Sequence, residues 1–147
     1  MLMKNILSLI YIIVLTIGCS NAGPPSTETT SEKFDSLLNK ISFLEQYVTF
    51  NRQYENLDFI IFYQNNSNGF LPGPSDWDVQ IIAQIPNDTI NAWISNAKTI
   101  KTDDTDWVLK IPTNINRSGF SEWYQKEKAL IGVNRTQSII VYRNRSM

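Results

Sequence analysis

The chain has 147 residues, of which 42% are hydrophobic, and a formal net charge of −1. This length suffices for one domain with its own core, and the near-neutral charge argues against a nucleic-acid-binding protein, which normally carries a basic excess. The chain contains no histidine and a single cysteine, Cys19. It therefore lacks the commonest general base, an internal disulfide and a cysteine-based zinc site, and we predict no metal and no cofactor.

The first residues have the composition of a secretory signal. Lys4 precedes the apolar run NILSLIYIIVLTIG, and no other charged residue occurs before Glu28. The run is shorter than the roughly 20 residues that a membrane-spanning helix requires. We therefore predict a signal peptide over residues 1–18 and leave it out of the fold.

This signal ends at Cys19 in the sequence LTIGC. The sequence resembles the lipobox of bacterial lipoproteins, although that family prefers leucine where Thr16 stands. The resemblance implies cleavage before Cys19, a diacylglyceryl group on its thiol and a fatty acyl chain, such as palmitate, on its new amino group. It also implies a location in the cell envelope and, in a Gram-negative cell, delivery to the outer membrane with the domain facing the periplasm, because Ser20 follows the cysteine.

A second way of processing this region stays open. Ser20 and Ala22 form a small-x-small site, at which ordinary signal peptidase would release a chain beginning at Gly23. Residues 19–30 are small, polar and interrupted by prolines, so we predict a lipidated N-terminus followed by a flexible tether. A single globular domain is then expected over residues 31–147.

The first predicted element of this domain is a long amphipathic helix over roughly residues 31–53. Glu32 follows two threonines and a serine, a pattern typical of a capping box. Apolar residues recur behind it at helical spacing: Phe34, Leu37, Leu38, Ile41, Leu44 and Val48.

Two strands and a second helix follow. LDFIIFYQ (57–64) is apolar on both alternating faces, as in a central strand, and WDVQIIAQI (77–85) alternates like a half-buried strand. Asn87 then caps a predicted helix, on which Ile90 and Trp93 share one face.

The last part of the chain contains mainly strands. DWVLKI (106–111) is predicted as a strand, EWYQ (122–125) is ambiguous, and ALIGVNRTQSIIVYRN (129–144) is predicted as a hairpin with its turn near 134–137. The order of elements predicts an α+β fold, with a mainly antiparallel sheet of four to six strands packed by the long N-terminal helix and the shorter second helix.

One segment of the body carries a resemblance of its own. PGPSDWDVQIIAQIPNDTINAWI, with its Pro-Gly-Pro-x-Asp start at Pro72, resembles a segment of small uncharacterised bacterial proteins. The resemblance supports the order of strand and helix and implies no activity.

Aromatic and acidic residues are the candidates for a ligand-binding surface. A tryptophan ring offers apolar contact to a sugar or a peptide, and neighbouring carboxylates accept hydrogen bonds from hydroxyl groups. The strand phase favours a core position for Trp77, as it does for Trp107, whereas helical spacing favours one for Trp93. The candidate ligand-binding residues are Asp76, Trp77, Asp78, Trp123 and Tyr124.

The group Asp103, Asp104 and Asp106 invites a calcium hypothesis, because calcium prefers several oxygen ligands. The group lacks the spacing, the glycine and the final glutamate of an EF-hand loop. We therefore favour a solvated turn.

Acidic residues concentrate in residues 55–106 and basic residues in residues 117–147. These charges can pair inside the sheet, or Arg135, Arg143 and Arg145 can present a basic rim to phospholipid headgroups or to an acidic partner. We favour internal pairing.

No catalytic motif is present in the sequence, and Glu122 with Asp76 or Asp78 is the one acid pair that merits a test for glycoside hydrolysis.

We predict a small lipid-anchored bacterial envelope protein with a non-catalytic binding or inhibitory domain. Its expected partners are the membrane, through the lipid on Cys19, and a protein of the envelope, but no nucleic acid. The alternative is a secreted carbohydrate-binding or carbohydrate-acting domain that uses Trp, Tyr and carboxylate side chains.

Overall fold

The computed structural model describes residues 26–48, 53–66 and 75–146; the predicted signal peptide and residues 19–25, with Cys19, lie outside the described residues. The described residues form one sheet of seven strands, in which all neighbours pair antiparallel. In chain order the strands are β1 (Ser26–Thr30), β2 (Asn56–Gln64), β3 (Asp76–Gln84), β4 (Lys98–Ile100), β5 (Glu122–Lys126), β6 (Ala129–Asn134) and β7 (Ile139–Arg145).

The sheet consists of two meanders joined along one pair of strands. Its order is β1-β2-β3-β7-β6-β5-β4, so three consecutive strands form one half and four consecutive strands form the other. β3 and β7 join the halves, with Ile81 opposite Tyr142 and Ile82 opposite Val141. Ile81 and Ile82 are both 0% exposed, which shows that both faces of the sheet are covered at its centre.

Within the described residues, two short α-helices cover one face of the sheet, which we call the helix face. They are α1 (Leu37–Leu44) and α2 (Ile90–Trp93). Alternate residues of the strands point towards them because successive side chains of a strand point to opposite faces. These helices pack against a continuous buried core that includes Phe59, Ile61, Val79, Ile81, Ile131, Val133 and Ile140.

Residues 101–121 cover the opposite face, which we call the loop face. They include a 3₁₀ turn, Asp106–Lys110. Trp107 and Ile111 of this segment form a second buried cluster with Ile82 of β3 and Val141 of β7. The sheet is therefore the middle layer of three.

The predicted fold class with a long N-terminal helix is wrong. Residues 31–33 form a single 3₁₀ turn, and Phe34 then has an extended backbone (φ −119°, ψ 128°) that interrupts the helix. α1 begins only after Ser36, whose side chain accepts a hydrogen bond from the backbone N–H of Asn39. Because the apolar spacing spans several short segments rather than one helix, Leu38 of the predicted apolar stripe is 71% exposed.

The sheet has seven strands rather than four to six, and one reason is that residues 26–30 form β1 instead of belonging to the tether. β1 lies at the edge of the sheet, where Glu28 is opposite Phe62 of β2. The predicted capping box is not formed, because the hydroxyl of Ser31 donates to Asp58 and Thr30 makes no side-chain cap.

Two further predictions on the middle of the chain are corrected. DWVLKI is not a strand: Asp106–Lys110 form the 3₁₀ turn, which buries Trp107 and leaves Leu109 65% exposed. The helix predicted after Asn87 is present only as a 3₁₀ turn, Asn87–Thr89, followed by the single turn of α2, and no side chain caps it.

The strands predicted over 57–64 and 77–85 are confirmed as β2 and β3, and the C-terminal hairpin is confirmed as β6 and β7. In its turn, the side-chain oxygen of Asn134 accepts a hydrogen bond from the backbone N–H of Gln137. Ser138 then adopts a positive φ of 55°, which reverses the chain into β7.

Asp58 of β2 ties three segments to the sheet. Its buried side chain accepts hydrogen bonds from Lys40 Nζ at 2.7 Å, Ser31 Oγ at 2.8 Å and Thr113 Oγ1 at 2.6 Å. These donors belong to α1, to the turn after β1 and to the segment on the loop face. The carboxylate needs such partners because an unpaired charge out of water costs several kcal/mol.

We expect Asp58→Asn to lower the free energy of unfolding by about 3 kcal/mol, since Lys40 then keeps a half-buried charge without its carboxylate. Urea unfolding measures this change. Asp35→Asn, which removes an exposed carboxylate, serves as the matched control and should change stability by less than about 0.5 kcal/mol. Equal effects of the two substitutions would contradict the role of Asp58.

Candidate functional site

Strand alternation places residues of four neighbouring strands on the helix face. Ile81 of β3 lies opposite Tyr142, Tyr142 lies opposite Ile131, and Ile131 lies opposite Tyr124. Trp77 and Lys126 have the same phase as these residues because each lies an even number of positions away on its strand. All of these side chains therefore belong to the helix face.

A groove of about 490 Å³ opens among these residues, next to α2. Its aromatic walls are the half-buried ring of Trp77 and the buried rings of Trp93 and Tyr142, with Ile131 between the strands. The rings of Trp93 and Tyr142 meet edge to face, with their centroids 6.1 Å apart. This volume is typical of sites for small ligands, and the lining combines the aromatic rings with polar and charged residues.

Two lysines stand at the rim of the groove. Lys126 ends β5 and Lys128 precedes β6, so the tight turn between the strands holds both, with Glu127 between them at a positive φ of 54°. Within residues 26–48, 53–66 and 75–146, no carboxylate lies within 4.0 Å of either ammonium group. Arg145 also lines the groove, but its guanidinium group is bound to Asp104, 3.1 Å away.

Burial raises the pKa of Tyr142, whose hydroxyl accepts a hydrogen bond from the amide of Asn144 at 3.2 Å. The phenol therefore stays neutral at physiological pH. The groove combines apolar rings with two cationic groups, an arrangement suited to a ligand that has both a flat or apolar part and a negative charge.

The structure does not bring the sequence-predicted ligand residues together. Trp77 lines the groove, but Asp76 and Asp78 precede and follow it on the strand and therefore point to the loop face. Asp78 is held there by Arg143 at 2.6 Å, and Asp76 accepts a hydrogen bond from the amide of Asn66 at 3.0 Å. The predicted combination of a tryptophan with flanking carboxylates is therefore absent from this strand.

Trp123 and Tyr124 are also on opposite faces. The ring of Trp123 lies on the loop face, in edge contact with Trp107 at 6.5 Å between centroids, and packs over Gly132. A Cβ atom at Gly132 would come within 2.8 Å of this ring, so the glycine makes room for it. Trp123 is thus mainly a packing residue.

Tyr124 belongs to a polar cluster at the far end of β5. Its hydroxyl donates to Glu122 at 2.6 Å, and Arg135 donates to the same carboxylate at 2.7 Å. The Arg135 guanidinium, and then the Tyr124 hydroxyl, lower the pKa of Glu122, and the carboxylate in turn raises the pKa of Tyr124.

The acid pair considered for glycoside hydrolysis is not assembled. Glu122 lies opposite Val133, which lies opposite Ile140, whereas Asp78 lies opposite Arg145. Five residues of β7 separate these positions, which is about 16 Å along the strand, and the two carboxylates point to opposite faces. No step of acid–base catalysis can use both groups.

The acidic turn is engaged by arginines rather than arranged as a cation site. Asp104 binds Arg145 at 3.1 Å and lies 3.6 Å from Arg143. No group of acidic side chains in the described part of the chain has the geometry to hold a metal ion. The predicted internal pairing of the acidic and basic segments is confirmed by these contacts and by the pair of Arg143 with Asp78.

Reasoning from the sequence did not identify Tyr142, Lys126 and Lys128 as site residues. Each lines the same groove as Trp77 only because β7, β6 and β5 lie in that order beside β3. The short sequence Lys-Glu-Lys between two strands was the one available signal, since it places two like charges on a tight turn.

We expect the Glu122 cluster to make stability depend on acid pH. The pKa of Glu122 is lower in the folded protein than in the unfolded chain, where it is about 4.3. The stabilisation from the ionised Glu122 is therefore fully present above the unfolded pKa and is lost as pH falls through the folded pKa. Glu122→Gln should reduce stability by under about 1 kcal/mol at pH 7, since the pair is partly exposed, and by less near pH 3. Urea midpoints of both proteins at the two pH values test this, and an equal difference at both would contradict it.

No helix in the described ranges is long and apolar enough to cross a bilayer. No protein-family model, curated protein or solved structure matches the chain. The function is therefore inferred from the groove, the charges around it and the N-terminal sequence.

Proposed function

We propose that the protein is a lipid-anchored bacterial envelope protein whose folded domain binds a ligand without catalysis, in the groove between α2 and the sheet. The observation that carries the proposal is the combination of aromatic walls with two lysines, neither of which has a carboxylate within 4.0 Å of its ammonium group in the described part of the chain. Such a site recognises a ligand by apolar contact and by charge.

The distribution of the acidic groups supports binding rather than chemistry. Asp58, Asp78 and Glu122 each accept from a basic side chain at 2.7 Å or less. The chain has no histidine, and Glu127 is the carboxylate in the lining of the groove. One exposed carboxylate beside two lysines can orient a ligand, but it does not supply the paired acid and base of a hydrolase.

A carbohydrate ligand is the second candidate, because the half-buried ring of Trp77 offers an aromatic surface on which a sugar ring can stack. The carboxylates expected beside Trp77 are on the opposite face, so a neutral sugar has few acceptors for its hydroxyl groups here. A protein of the envelope that presents an acidic aromatic segment has the same complementarity as a small anionic ligand. The lysines favour the anionic class in either case.

The anchor is tested by the intact mass and N-terminal residue of the mature protein from the membrane fraction of its host. We expect a chain that begins at Cys19, with a mass increased by a diacylglyceryl group and an amide-linked acyl chain. Cys19→Ala, which has no thiol to acylate, is the control. An unmodified chain beginning at Gly23 would contradict the anchor and make the protein a free secreted domain.

The groove is tested with anilinonaphthalene sulfonate, a probe with an apolar ring system and one negative charge. We expect Trp77→Ala to weaken its binding about tenfold, since loss of an aromatic contact of this size costs on the order of 1–2 kcal/mol. Phe62→Ala, which truncates a ring of similar size that is 37% exposed on the loop face, is the matched control.

Displacement of the probe separates the two ligand classes. Dihexanoyl phosphatidic acid should displace it, and maltotriose should not. Displacement by maltotriose alone would favour the carbohydrate candidate. Probe binding that is equally strong in wild type and Trp77→Ala would contradict the groove as the site.

A further inference from the structure

The groove and the start of the folded domain lie at the same end of the sheet, which we call the tether end. Ser26 begins β1 opposite Gln64, and Gln64 lies opposite Asp76 at the start of β3. Trp77 is the next residue of β3. The turn that holds Lys126 and Lys128 lies at this end as well, because Leu130 pairs with Arg143 near the end of β7.

The length of chain before Ser26 limits how far the tether end can be from the anchor. Cys19 and Ser26 are separated by seven Cα–Cα steps in the sequence. Each step spans at most about 3.6 Å, so a lipid on Cys19 is at most about 25 Å from the start of β1. This distance is shorter than the thickness of a bilayer with its headgroups, about 40 Å.

We infer that the groove binds the anionic headgroup of phospholipids in the bilayer that anchors the protein, so that the domain stands on the membrane with its tether end towards the lipid. This inference rests on the proposed lipid anchor and names the ligand of the proposed site. On this inference, the position of the groove, its two lysines and Trp77 all serve to bind the membrane surface.

The groups in the groove match the groups of a lipid headgroup. The ammonium groups of Lys126 and Lys128 are suited to the phosphate, and the half-buried ring of Trp77 is suited to the boundary between headgroups and acyl chains. The arginines of this end are occupied, since Arg143 binds Asp78 and Arg145 binds Asp104. Attraction to an anionic surface therefore depends on the lysines of this end, which are Lys126 and Lys128 in the groove and the exposed Lys98, opposite Gln125 on the edge strand β4.

The opposite end of the sheet does not offer such a surface. It contains the β6–β7 turn, where Arg135 is bound to Glu122. The exposed carboxylates of Glu55, which precedes β2, and Asp88, which follows β3, lie at this end and would be repelled by anionic lipid. The distribution of charge therefore favours contact of the tether end with an anionic membrane, and the tether brings this same end to the membrane.

The experiment uses the mature lipidated protein in vesicles of phosphatidylcholine alone, or with one third phosphatidylglycerol. The bulk lipid carries bromine atoms on the acyl chains near the headgroup, which quench tryptophan fluorescence at close range. We expect stronger quenching in the vesicles with phosphatidylglycerol, and loss of this excess in Trp77→Phe. Each lysine contributes about fivefold near an anionic surface, so Lys126→Gln with Lys128→Gln should lower the equilibrium for the docked orientation about 25-fold and abolish the excess.

Lys101→Gln with Lys110→Gln is the matched control, because both lysines are exposed and belong to the segment on the loop face. This variant should keep the excess quenching. Equal quenching in both kinds of vesicle, or equal loss in the two double variants, would overturn the inference. If anilinonaphthalene sulfonate still binds in a manner that depends on Trp77, the proposed binding site stands without its membrane ligand. A mature chain without acyl groups would overturn the proposed anchor and this inference together.

Discussion

The pairing of β3 with β7 is the constraint on which the rest of the structure depends. Every other neighbouring pair of strands is consecutive in the chain, whereas this pair joins the two halves of the sheet. It places Asp78 beside Arg143 on the loop face and Trp77 near Tyr142 on the helix face. The ion pair and the groove are therefore two results of one register, seen from opposite sides of the sheet.

Alternation along β3 explains why a plausible site in the sequence is divided in the structure. Asp76, Trp77 and Asp78 are adjacent in the chain, and the site for hydroxyl-bearing ligands that the sequence predicts uses all three. A strand separates such neighbours, because its side chains alternate between faces. The tryptophan is left with basic neighbours from other strands, and the carboxylates are left to pair with arginines. The groove therefore places basic side chains near the tryptophan, whereas the local sequence predicts acidic ones.

The parts of the fold that the sequence predicted are those whose signal is local. β2, β3 and the β6–β7 hairpin have apolar runs or alternation with clear turn residues, and all of them are present. β1 was not predicted, because STETT (residues 26–30) is a solvated edge strand with the composition of a linker. The long helix was predicted in error because apolar residues at three- and four-residue spacing do not require one continuous helix. Short turns that pack on a sheet have the same spacing. The lysines of the groove required the strand order, which no short stretch of sequence contains.

The position of β1 also determines how the domain would carry a mechanical load. A pull on Ser26 along the axis of β1 acts on the hydrogen bonds to β2 together rather than one after another, because the ladder is parallel to the direction of the force. Force that the ladder does not resist passes through Thr30 to Ser31, whose hydroxyl donates to Asp58. Asp58 in turn binds Lys40 of α1, so the force reaches the helix as well. A short polar strand at the edge of the sheet is in this sense a shear joint, which spreads tension from the N-terminus over the whole domain before any single contact has to break.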